Sequence, residues 1–173
     1  LIATYTGGGM KLKPLLEQIL TSRALFTSIA EPNLVKPPVV FAVGAMRALG
    51  VQITDTTVSD HLDQMGQVPY FPPTVAGWEG GLSWLNTNTA LARFGFVAKL
   101  VSTQKIDDVL GETAGAAYDR AYAAVGRPWV AAGTEKAIRD YAGRAQSSSS
   151  KLRRERQLML RSLILAGPDG QVM

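Results

Sequence analysis

GQVPYFPPTVAGWEGGLSWLNTNTALAR, residues 66–93, sets three prolines, four glycines, two tryptophans, a tyrosine and a phenylalanine between two stretches of helical spacing. Pro69, Pro72 and Pro73 fix φ near about −65° and remove backbone donors, which keeps this span out of a helix and stiffens it toward polyproline geometry. Gly77, Gly80 and Gly81 let the chain turn around Trp78 and Trp84, whose rings each bury about 150–250 Å² when covered. The expectation is an ordered loop. It runs into a helix whose start is marked by Asn86, Thr87, Asn88 and Thr89, side chains able to accept from the unpaired N–H groups of a first turn.

The helical reading extends outward on both sides. Upstream, TTVSDHLDQMG (56–66) puts Val58, Leu62 and Met65 on one face, and Gly66 stops the helix. Further back, Pro37-Pro38 and Gly50 bracket a helix with Val39, Ala42, Val43, Met46 and Leu49 inward. KPLLEQILTSRALF (13–26), read together with Leu12, predicts a helix with Leu12, Leu15, Leu16, Ile19 and Leu20 in one stripe and Pro14 in its first turn.

Downstream, Leu91, Phe94 and Ala98 continue the helix after the loop. Residues 106–126 predict one or two alanine-rich helices, and TEKAIRDYAGRA (134–145) another, capped by Thr134. Ser147, Ser148, Ser149 and Ser150 read as a connection or a cap, and 151–166 as a final helix buried in its second half. No period-2 alternation of useful length appears. The predicted fold is all-α, an irregular bundle of about six to eight helices with one long ordered Pro/Gly/aromatic loop.

Composition narrows the chemistry. The 173 residues suit one domain burying roughly 70% of its unfolded surface, or a carboxy-terminal fragment of a larger helical protein. With no cysteine, thiol catalysis, Cys-ligated metal and disulfides are excluded. The net charge of +4 comes from 18 Lys and Arg against 14 Asp and Glu, and much of the excess lies in 151–161. One basic cluster without a broad basic face argues against nucleic acid as the partner. No apolar run reaches the ~18 residues that span a bilayer. The amino-terminal residues lack a signal-peptide layout, and their mid-stream opening suggests a fragment or a processed product.

Catalytic patterns are sparse. His61 is the only histidine, and Asp60 and Asp63 beside it do not share its helical face, so the three cannot converge on one metal; an exposed or capping role is expected. Asp108 and Glu112 at i, i+4 read as a solvated helix surface rather than an acid/base pair. Gly7-Gly8-Gly9 before Lys11 lacks the spacing of a phosphate-binding loop. Neither a metal nor a cofactor is expected. Arg93, Arg120 and Arg139 read as single helical charges that pair or solubilise. Lys151, Arg153, Arg154 and Arg156 open the last helix where positive charge opposes the macrodipole. They read either as a solvated helix end or as a contact for anionic lipid headgroups or an acidic partner.

The pattern Gly66-Gln67-x-Pro69-Tyr70-x-Pro72-Pro73-x-Val75-x-Gly77-Trp78-x-Gly80-Gly81-x-x-Trp84-Leu85-Asn86-Thr87 resembles the signature of the bacterial family catalogued as domain of unknown function 1800. Lys36-Pro37-Pro38-Val39 with FAVGAMRALG, Leu91-x-Arg93 and the closing LILAGPDGQ are similar to other stretches of its carboxy-terminal part. Val40 departs from the pattern, replacing an acidic residue, as do Gly167 and Asp169-Gly170 at the ending. The resemblance implies a helical protein in a periplasmic or extracellular setting and implies no reaction.

Two readings of the loop follow. In one, Tyr70, Phe71, Trp78 and Trp84 plug it into the bundle while Asn86 caps the next helix. In the other, Gln67, Tyr70, Phe71, Trp78, Glu79, Trp84, Asn86 and Arg93 form a binding surface. The functional expectation is a non-catalytic interaction or scaffold module facing a protein partner or a missing amino-terminal half. The alternative is part of a cell-surface hydrolytic enzyme whose catalytic groups lie mainly elsewhere, with Trp78, Trp84, Glu79 and Arg93 in its cleft.

Overall fold

The computed structural model describes residues 1–28, 31–52 and 57–173, and among these it contains nine α-helices and no β-strand. The all-α expectation holds. The chain divides into two compact units, Leu1–Asn33 and Leu34–Met173.

The first unit holds α1 (Ile2–Gly7), α2 (Leu12–Leu20) and α3 (Arg23–Ser28). The leucine stripe forms its helix as expected, but the helix stops at Leu20, where the Thr21 hydroxyl donates to the Glu17 carbonyl and the backbone turns before α3. The α1–α2 contact includes a hydrogen bond from the Thr4 hydroxyl to Gln18 Oε1.

The second unit holds α4 (Pro38–Leu49), α5 (Thr57–Gln64), α6 (Thr87–Ser102), α7 (Ala114–Ala124), α8 (Ala132–Arg144) and α9 (Ser150–Ala166). Its centre is the pair α6 and α9: α6 also packs on α4 and α5, and α9 on α7 and α8. Phe41 and Ala45 of α4, Phe96 and Leu100 of α6, Tyr118 of α7 and Leu160 and Ile164 of α9 are among the side chains that fill the space between them.

Several boundaries fall where local chemistry puts them. Gly50 ends α4 at φ 63°, a left-handed cap that L side chains resist. Gly66 closes α5 at φ 91°, with Gln67 N–H donating to the Leu62 carbonyl; the expected first residue, Thr56, lies outside the described residues. Asn86 accepts from the N–H groups of Asn88 and Thr89 at 2.9 and 3.0 Å, while the Thr89 hydroxyl accepts from Asn86 N–H at 2.9 Å, a closed capping box on α6. Asn86→Ala is expected to cost about 1 kcal/mol, read from urea denaturation.

Leu91, Phe94 and Ala98 lie in α6 as expected, on its exposed side, and the buried stripe is Thr89, Arg93, Phe96, Val97, Leu100 and Val101. Other expectations are corrected. Val43 is exposed on α4, where Phe41 and Ala45 are buried instead. Residues 104–113 form a loop rather than a helix, so Asp108 and Glu112 share no helical face. Thr134 does not cap α8. The helix starts at Ala132, and Asp169 supplies the cap from 38 residues away, its carboxylate accepting from Ala131 N–H at 2.7 Å.

Asp169 belongs to a carboxy-terminal hook that follows α9 as a single 3₁₀ turn, Pro168–Gln171, and ends in an isolated bridge from Val172 to Val35. Glycine is obligatory in the hook: a Cβ at Gly170 would sit 2.1 Å from the Leu165 carbonyl oxygen, and one at Gly167 2.4 Å from that of Leu163.

Candidate functional site

The loop between α5 and α6 is fixed at both ends. At its start, Gln67 Oε1 accepts from Val39 N–H at 3.0 Å, which satisfies a free donor in the first turn of α4. Near its end, the 3₁₀ turn Gly81–Trp84 carries Trp84 into the protein, leaving it 7% exposed, and the Trp84 carbonyl accepts from the Thr89 hydroxyl at 3.0 Å. Between these anchors, Thr74 and Gly77 close a tight turn: Gly77 N–H donates to the Thr74 carbonyl, Ala76 N–H to the Thr74 hydroxyl, and Gly77 takes φ 95°.

The aromatic rings of the loop differ in burial. Trp84 is buried and Trp78 half-buried, whereas Tyr70 is 94% and Phe71 76% exposed. Val75 and Leu82 also project into solvent. Pro69 and Tyr70 form the corner of a turn closed by Phe71 N–H on the Val68 carbonyl, and Tyr70 sits there at φ 69°. That left-handed conformation suits glycine and costs a residue with a Cβ about 1–2 kcal/mol.

The loop borders a cleft of about 660 Å³ whose walls include Met65, Pro73, Trp78, Glu79, Trp84 and Asn86. Glu79 is exposed and, among the described residues, is the only ionisable side chain lining it. The structure therefore brings together Trp78, Glu79, Trp84 and Asn86 of the predicted set. Gln67 is committed to α4, and Arg93 lies outside the cleft wall, fully buried.

The basic cluster on α9 divides in two. Arg153 is buried and donates from Nε and Nη2 to both carboxylate oxygens of Asp108 at 2.7 and 2.5 Å, and from Nη1 to the Ser148 carbonyl at 2.5 Å. Arg156 is buried against Glu112, with Nη2 donating to Oε2 at 2.9 Å. Glu112 also takes Arg120, whose Nε and Nη2 reach its two oxygens at 2.6 and 3.0 Å. The outward-facing cluster is thus corrected to an internal network, because the 104–113 loop delivers its carboxylates to the helix. Only Lys151 and Arg154 stay exposed, and Lys151 lies 3.8 Å from Glu155.

His61 is half-buried with its ring 5.2 Å edge-on to that of Phe96, rather than solvent-exposed. Among the described residues no three His, Asp or Glu side chains gather to hold a metal, and no helix is long and apolar enough to cross a membrane.

Two groups escaped the sequence reading. Lys36 and Gln171 meet Arg93 inside the second unit: Arg93 Nη2 donates to the Lys36 carbonyl at 2.8 Å and Nη1 to Gln171 Oε1 at 3.1 Å. The available signal was the helical register, since Arg93 lies four residues after Thr89 and three before Phe96, on the stripe that carries the buried residues of α6.

No curated protein and no solved structure matches the chain. The loop signature, the helical fold and a match over residues 1–172 agree on one assignment: the chain belongs to the family described as Protein of unknown function (DUF1800).

Proposed function

We propose that the chain is a non-catalytic interaction module, part of an exported assembly, that holds a protein partner against the loop between α5 and α6. The observation that carries this reading is Tyr70, 94% exposed and held at φ 69° on a loop anchored at both ends. A ring in that position buries almost nothing within the chain and strains the backbone. Glycine would serve the turn better, so the side chain is explained by something outside the fold.

The neighbours support the same conclusion. Phe71, Val75 and Leu82 project from one stiff segment, and aromatic anchors on preformed loops are the usual source of interface energy because little conformational freedom remains to be lost on binding. The hydrolytic alternative gains less. Glycosidic hydrolysis ordinarily uses two carboxylates about 5–10 Å apart, and the cleft beside the tryptophans offers Glu79 alone among the described residues.

The test places a photo-crosslinking residue at Phe71, at Leu82 and, as a comparator, at exposed Lys99 in the chain expressed in its own host. Defined protein adducts are expected from 71 and 82 and not from 99. Tyr70→Gly is expected to reduce the adduct at 82 at least tenfold while leaving stability unchanged or raising it by about 1 kcal/mol. Equal labelling from all three positions, or adducts indifferent to Tyr70→Gly, would refute the reading.

A further inference from the structure

Lys36 and Arg93 concentrate positive charge in the second unit on neutral acceptors only. Lys36 Nζ donates to the Gly170 carbonyl at 2.9 Å, and Arg93 uses the Lys36 carbonyl and Gln171 Oε1. Among the described residues neither cation has an Asp or Glu within ion-pair distance. Arg93 Nε is buried without a partner, and its guanidinium lies 4.9 Å from the Phe41 ring centre. Burial pushes Arg93 down to about 10, and Lys36 is lowered by burial and then by the charge of Arg93. A full counter-charge is absent from the partners of both cations.

Next to this pair is a pocket of about 140 Å³ between α4 and the end of α9. Val40, Phe41, Ala45, Ile164 and Leu165 give it apolar walls, and among the described residues Lys36 is the only ionisable group that lines it. The pocket opens to solvent past Val40 and Gly44, both exposed, and a volume near the ~150 Å³ that holds benzene takes about six heavy atoms.

We propose that the pocket binds a small aliphatic monocarboxylate, its carboxylate on the Lys36 ammonium and its short tail against the α4 and α9 walls. The charge requirement selects an anion. The apolar walls select against inorganic anions, which would lose hydration there without a replacement. A neutral molecule of the same shape fills the walls but leaves the ammonium unmatched.

The experiment titrates the whole chain with sodium butyrate, n-butanol and inorganic phosphate, following backbone amides by NMR and heat by calorimetry. Butyrate is expected to shift the amides of Lys36, Val40, Ala45 and Gly170 saturably, with butanol and phosphate at least tenfold weaker. Lys36→Met should weaken butyrate at least tenfold. Because the three-ligand comparison on the unaltered protein does not depend on that variant folding, it decides the matter alone. Absence of saturable shifts up to about 50 mM butyrate, well beyond the millimolar Kd of a weak complex, overturns the proposal. So does equal binding of butanol, or of phosphate.

Discussion

Glu112→Ala is expected to destabilise the protein by about 3–5 kcal/mol, the cost of leaving a buried charge without its partner. The Glu112 side chain is 3% exposed and the Arg156 side chain 1%, so neither ion can turn to water when the other is removed. Glu112 accepts from Arg120 and from Arg156, and Gln157 Nε2 approaches it at 3.4 Å. Among the described residues Arg156 would keep only the backbone carbonyl of position 112, at 3.2 Å, as an acceptor. The double variant Glu112→Ala with Arg156→Met should recover part of the loss, since it removes the stranded charge as well. Urea denaturation of the two single variants and the double one measures the coupling. A cost below about 1 kcal/mol, the range of exposed ion pairs, would show that the network is hydrated.

Acid titration gives the same pair a second signature. Burial pushes the Glu112 carboxyl up, but hydrogen bonds from Arg120 and Arg156 and their charges outweigh it, and the net position lies below the ordinary 4.5. A carboxyl depressed in the folded state contributes stability that is present above its unfolded value and is lost as pH falls through its folded one. The difference between the unaltered protein and Glu112→Ala should therefore be full above about pH 5 and should narrow below it. Asp108 titrates in the same direction, lowered first by its hydrogen bonds with Arg153. The comparison at position 112 isolates the buried member.

Elements defined by local chemistry were readable in the sequence, and those defined by distant partners were not. Pro38 and Gly50 bound α4 because a missing donor and a left-handed cap act within one turn, and Asn86 and Thr89 close their capping box across three residues. By contrast, 104–113 carries helix-compatible residues but forms a loop in which Asp108 and Glu112 reach arginines 44 or 45 residues away. The α8 cap comes from Asp169 for the same reason. Side-chain polarity does not mark the buried face of α6, where apolar Leu91 and Phe94 face solvent and charged Arg93 is inside. In the loop, proline and glycine spacing predicted order, but it could not separate Trp84, which is anchored, from Tyr70, which is free.

Arg93→Ala is expected to cost about 2–4 kcal/mol, and to release the carboxy-terminal hook before the rest of the unit. Three segments meet at this side chain: α6 carries it, residues 34–37 present the Lys36 carbonyl, and the hook presents Gln171, whose Nε2 donates in turn to the Ala166 carbonyl at 2.8 Å. Truncation removes two charge-assisted hydrogen bonds and leaves one acceptor, Gln171 Oε1, buried and the other, the Lys36 carbonyl, partly buried. It also relieves the cost of an unneutralised cation, which keeps the expected loss below that of Glu112→Ala. Arg93→Met keeps most of the stem and discards the fork, so its cost, about 1–3 kcal/mol, approximates the hydrogen-bonding part. The local effect is specific: Leu34 and Met173 exchange N–H···O bonds at 3.2 and 2.9 Å, and Lys36 N–H donates to the Gln171 carbonyl at 2.8 Å. Amide exchange at these three N–H groups should accelerate more than at Leu100 or Leu160 in either variant. Uniform acceleration across the unit would mean that Arg93 supports the core at large and does not brace the hook; because Arg93 is 0% exposed, direct contact with a partner in this fold is not the alternative.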